Sequence, residues 1–131
     1  MSRRRAGVLR LAHSLALLGA VAVLLLLGAV VFNGMVSAFS SCHVPPLYTE
    51  PGYNLHKPSE TCSDPFVASR SPTGMYRTTP LKGMFAKSKR GFGADGRFPT
   101  LLAVVDHYDS CFKLGLTAPE KSDLVQFLKS L

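Results

Sequence analysis

Between Leu11 and Ser41 the chain contains no Asp, Glu, Lys or Arg. Inside that stretch, Leu15 to Phe32 is an unbroken apolar run of 18 residues, LALLGAVAVLLLLGAVVF. The lack of charge excludes an amphipathic surface helix, which needs one polar face. It also excludes a buried core helix, because a protein this small cannot cover such a helix on all sides. Other absences narrow the chemistry. There is no Cys-x-x-Cys pair and no His-x-x-x-His, so the usual zinc motifs are missing. No Gly-rich phosphate loop follows a strand pattern. The four histidines are spread too widely to suggest a catalytic triad. No Lys/Arg stripe is interleaved with aromatics, so the basic balance does not point to nucleic acid as a partner. No internal repeat is visible.

The N-terminal segment reads as a leader. Of 15 Lys and Arg against 8 Asp and Glu in 131 residues, four (Arg3, Arg4, Arg5 and Arg10) precede the apolar run. From Cys42 onward the balance is eleven basic to eight acidic residues. Positive charge before an apolar stretch keeps the N-terminus in the cytoplasm and sends the downstream chain across the membrane. The run is long for a signal-peptide core and at the short limit of a membrane span. Val36-Ser37-Ala38 supplies the small residues that precede a signal-peptidase cut. Residues 1–38 therefore read as a signal peptide or a membrane anchor, and the length favours the anchor. Residues 39–131 are expected in the periplasm, free or anchored to the inner membrane.

The exported part is rich in Pro and Gly at first. Cys42 to Pro80 shows neither helical nor strand periodicity and is expected to be mostly irregular, with turns at Pro51-Gly52 and Pro72-Thr73-Gly74. So long a coil is unusual in a compact domain unless it wraps around something. A bound macrocycle would serve, since a domain of this size buries only a thin core. Leu81 to Lys87 suggests a short helix, and Gly91 to Gly96 a turn-rich loop. Thr100 is placed to cap a helix whose inward stripe is Leu101, Val104, Val105, Tyr108 and Phe112, with His107 on its flank. Gly115 reads as its C-cap. Thr117-Ala118-Pro119-Glu120 reads as a capping box, opening a last helix that turns Leu124, Phe127, Leu128 and Leu131 inward. The expected fold class is all-α: a small domain with a long irregular first half behind one apolar N-terminal helix.

Ser40-Ser41-Cys42-His43 directly follows the leader. Cys-His is the second half of the c-type haem attachment motif, Cys-x-x-Cys-His, in which thioethers fix the porphyrin and the adjacent imidazole ligates iron. The first motif position is Phe39, not Cys. The segments CHVPPLYTEPGYNLH, YRTTPLKGMF, GFGADGRFPTLLAVVDHYD and LGLTAPEKSDLVQFLKSL, in that order, resemble the C-terminal haem domain of bacterial di-haem cytochrome c peroxidase-like proteins. That superfamily includes the enzymes that mature methylamine dehydrogenase. The resemblance spans residues 39–131 and implies a small c-type cytochrome-like domain. It implies haem c attached covalently through Cys42, by one thioether, with His43 as proximal ligand.

For the second axial position the resemblance implies a Met in peroxidase members and a Tyr in maturation enzymes. The corresponding register here falls on Tyr108. Met84, His107 and His56 are the other candidates: Met84 reads more readily as core, His107 as a neighbour of the haem and His56 as a surface loop residue. Arg77, Lys82 and Arg97 are candidates for the haem propionates. The family's aromatic-His before Asp-Gly is replaced by Gly93-Ala94, which weakens any catalytic role at that turn. Phe39 admits two explanations, single-cysteine attachment or decay of an ancestral site. Pairing of Cys62 with Cys111 in an oxidising compartment is left open. The leading expectation is periplasmic electron transfer with a redox protein partner. The alternatives are a peroxidase-like subunit needing a second haem domain from a partner, and a non-haem membrane-tethered module. The chain is not expected to be an enzyme on its own.

Overall fold

The structure is a computed structural model describing residues 2–34, 40–50, 52 and 54–131, with α1 side chains described from His13 to Phe32. Phe39, the Val36-Ser37-Ala38 cut and part of the Pro51-Gly52 turn lie outside the described residues. The chain is mostly helical. Helix α1 spans Ser2–Gly34 and contains one stretch, His13–Phe32, long and apolar enough to cross a membrane. Its C-terminal end does not stand apart from the rest. Helix α1 packs along α5, Ala118–Ser130, and Phe32 is fully buried. Gly28 permits this approach. A Cβ there would collide with the Asp123 carbonyl oxygen and the Phe127 Cβ.

The second half keeps close to its sequence pattern. Thr100 Oγ1 accepts from the Ala103 amide at 3.1 Å and starts α4, Leu101–Phe112. Leu101 and Val105 are buried, with Val104 and Tyr108 packed beside them, as a 3.6-residue stripe requires. The capping box at α5 forms, with Glu120 Oε2 accepting from the Thr117 amide at 2.8 Å. Leu124, Phe127 and Leu128 are buried on its inner face, and Leu131 packs against them. One boundary moves. The α4 C-cap is Lys113, at φ 54°, and not Gly115, which takes φ 69° two residues later. Asp109 explains the early stop: its backbone oxygen accepts from Leu114 at 3.1 Å and its carboxylate from Leu116 at 3.0 Å.

The first half is largely irregular but carries more order than its sequence suggests. Strands β1, Leu55–His56, and β2, Tyr76–Arg77, pair antiparallel, Leu55 opposite Arg77 and His56 opposite Tyr76. Between them α2, Pro65–Ala68, makes one turn, capped by Asp64 accepting from the Phe66 amide at 2.7 Å. Tyr76 pins that turn by donating to the Asp64 carbonyl at 2.6 Å. Gly74, at φ 67°, turns the chain back at the expected Pro72-Thr73-Gly74 site. The expected short helix is α3, Met84–Lys87, continued by a 3-10 turn at Ser88–Arg90. Cys62 and Cys111 are joined in a disulfide, Cα atoms 6.4 Å apart, tying the coil to α4.

Candidate functional site

Cys42 and His43 stand at the start of the coil, where a tight turn returns the chain through Tyr48, whose amide donates to the Val44 carbonyl at 2.8 Å. The Tyr48 carbonyl receives two donors. The Leu81 amide reaches it at 3.0 Å and His43 Nδ1 at 3.1 Å. A carbonyl only accepts, so Nδ1 carries the proton and the neutral ring keeps its lone pair on Nε2. Burial lowers the His43 pKa below its usual value, opposed by the Tyr48 bond and reinforced by the Lys87 charge. The imidazole is thus held neutral and oriented, the state in which it ligates metals.

Beside this turn lies a cavity of about 600 Å³, of the size that cofactor pockets occupy. Cys42, His43, Met84, Tyr108 and Arg77 all border it. Its walls come from the coil, α3, the Gly91–Gly96 loop, α4 and α5. Phe92 and Leu128 supply apolar surface, and Lys87 and Arg90 add cationic groups. Burial is the main cause lowering the Lys87 pKa, with the Arg90 charge adding to it. Tyr108 is half-buried, and its phenol is pushed above its usual pKa by burial, partly offset by a hydrogen bond with Ser63. Its ring stacks on Phe112, centroids 5.8 Å apart and planes 6° from parallel.

Other residues singled out by the sequence take different roles. Arg97 is outside the cavity lining. It bridges Asp64 at 2.8 Å and Asp95 at 2.7 Å, and these partners raise its pKa further. Two carboxylates on one guanidinium leave it poorly suited to a third anion. His107 also lies outside the lining. Its Nε2 donates to the Cys62 carbonyl at 2.8 Å, fastening the disulfide loop to α4. His56 is not a surface loop residue. It sits in β1, half-buried, with Nε2 2.6 Å from Glu50 Oε2 and Nδ1 3.9 Å from Glu60 Oε2. Lys82 is exposed and does not border the cavity.

Sequence reasoning missed Lys87, Arg90, Ser63 and Glu50. Glu50 accepts from His56, from Asn54 Nδ2 at 2.5 Å and from Thr78 Oγ1 at 3.3 Å. These bonds hold its carboxyl below the usual carboxylate range, the His56 bond most. Cys42 Sγ, a Glu50 oxygen and a His56 ring nitrogen lie within 4.8 Å of one another. No spacing rule links positions 42, 50 and 56; only the return of the chain through β1 and β2 brings them together.

No protein-family model matches the chain, no curated protein matches it, and no solved structure matches its fold.

Proposed function

We propose that the chain is a c-type cytochrome-like haem protein of electron transfer, tethered to the membrane with its domain in the periplasm. The supporting observation is the convergence of Cys42, His43, Tyr108, Met84 and Arg77 on one cavity. Tyr108, Met84 and Arg77 are distant in sequence from the adjacent Cys42-His43 pair, and each of the five is a haem-site candidate on sequence grounds alone.

The residues present fit a haem. Cys42 is a free, half-exposed thiol able to form one thioether. His43, oriented through Nδ1, offers Nε2 as the proximal ligand. Tyr108 is the second axial candidate and Met84 its competitor; both border the cavity. Arg77, Lys87 and Arg90 would hold the propionates, in place of Arg97. The haem itself would supply one-electron chemistry at iron. The protein's own part would be to keep His43 neutral and to offer the apolar cavity wall of Leu81, Phe92, Val104 and Leu128. A redox protein partner would receive the electron.

The tether reading rests on Phe32. A cut after Ala38 would remove a fully buried aromatic from the domain core. Expression of the full chain in bacteria with intact c-type maturation, followed by intact mass and a haem stain on a denaturing gel, tests both parts. The expected product is the uncleaved chain plus one haem. A colourless protein of unmodified mass sinks the haem reading, and loss of the leader mass sinks the tether.

A further inference from the structure

We infer that Cys42, Glu50 and His56 form a divalent-metal site of the zinc class, available only when Cys42 carries no thioether. Their donor atoms, one thiol sulfur, one carboxylate oxygen and one imidazole nitrogen, lie within 4.8 Å of one another. A modest closure brings such a trio to coordination distance, with metal bonds of about 2.0–2.3 Å to O, N and S. The mixture of soft, borderline and hard donors selects a borderline cation over Mg²⁺ or Ca²⁺. Three protein donors leave a fourth position for water or a small ligand. Cys42 and His56 both border the 600 Å³ cavity, which such a ligand could occupy.

The surroundings bear on two of the three donors. Glu50 is steadied by Asn54 and Thr78. His56 Nδ1 has the Glu60 carboxylate 3.9 Å away, beyond a direct hydrogen bond but near enough to favour positive charge at the ring. His56 Nε2 and Glu50 Oε2 lie 2.6 Å apart, so a cation held by both would replace the hydrogen bond between them. In the metal-bound form the neutral imidazole carries its single N–H on Nδ1 and gives its Nε2 lone pair to the cation, while Cys42 releases its thiol proton to solvent. Haem attachment and metal binding draw on one sulfur, so the two states exclude each other.

The test uses the full chain in detergent, made in cells lacking haem-attachment machinery, with Co²⁺ as the probe. One equivalent is expected to give thiolate-to-cobalt charge-transfer absorption. Glu50→Gln and His56→Asn are each expected to weaken binding roughly tenfold or more. The Asn side chain keeps an N–H donor for Glu50, and a thermal melt checks that each variant is folded. Both variants are expected to keep the haem stain when made with the maturation machinery. Absence of the band at one equivalent overturns the inference, as does unchanged Co²⁺ affinity in the two variants. Cobalt binding by a chain that never acquires haem sinks the haem proposal and leaves this site standing. A haem-stained chain whose haem-free form ignores Co²⁺ does the reverse.

Discussion

The ring of Phe32, near the C-terminal end of the apolar helix, lies 5.4 Å from the ring of Phe127 in the last helix, and Phe32 is fully buried. Tyr48 closes the group, its ring 5.9 Å from Phe32 and 6.1 Å from Phe127. The first and last helices and the Cys42-His43 turn thus share one aromatic cluster. Truncating Phe32 to Ala should destabilise the domain by about 3 kcal/mol, from lost burial and the cavity left behind. Denaturant unfolding of the full chain in detergent reads this. An unchanged midpoint would mean that α1 does not pack on α5.

Gly28 gives a second, geometric check. Any side chain there meets the Asp123 carbonyl and Phe127. Gly28→Leu should separate the helices and expose Phe127, whereas Gly19→Leu, at a position with nothing within 4 Å, should not. Protease sensitivity of the domain, compared between the two variants, measures the difference.

The Cys62–Cys111 disulfide closes a loop with a sequence separation of 49. Chain-entropy arguments give roughly 4 kcal/mol for a loop of that size. The double Cys→Ser variant should melt well below the parent. It should also loosen His107, which holds the Cys62 carbonyl. Equal melting temperatures with and without reductant would contradict this.

Lys121 clasps α4 to α5 through Asp109 at 2.7 Å and Asp106 at 2.8 Å. The Lys121 bond is the main cause holding Asp109 below its ordinary carboxyl value of 3.8, followed by the Leu116 amide. A depressed folded pKa contributes stability above the ordinary value, lost as pH falls through the folded one. Lys121→Met should therefore flatten the acid side of the stability profile, where pH falls through and below the ordinary carboxyl value. Thermal melts across that window decide it; parallel profiles for parent and variant would count against the clasp.

If the haem proposal holds, Tyr108→Phe should keep the covalent haem and lose the six-coordinate absorption spectrum, while Met84→Leu should preserve both. The opposite pattern would assign the second axial position to Met84. His43→Ala should leave a haem that stains but binds added imidazole.

Much of the second half is legible in the sequence. The Thr100 and Thr117 caps and the Leu101–Val105–Tyr108 stripe depend on residues within a turn or two of each other, so a linear pattern reports them. Gly115 is not the cap its residue type suggests, because the Asp109 carboxylate, reaching the Leu116 amide, ends the helix early. Arg97 is not free for a propionate, because carboxylates from two separate loops, at Asp64 and Asp95, already hold it. The half-buried place of His56 is invisible in the sequence, because its partner Glu50 is recruited through no recognisable spacing.

By itself the sequence determined a single long apolar helix, two capped C-terminal helices and a coil too irregular to report its own path. Those are consequences of hydrophobic periodicity and of side chains that bond their near neighbours' backbone. Tertiary structure alone decided that the apolar helix packs on α5 and that Cys42, His43, Tyr108 and Met84 border one cavity. It also decided that Cys42, Glu50 and His56 converge. The reason is that these juxtapositions rest on bonds between distant positions, such as Thr49 Oγ1 to the Thr78 carbonyl at 2.8 Å and the Cys62–Cys111 bridge. The chain makes them only once it has closed on itself, and no local pattern encodes them.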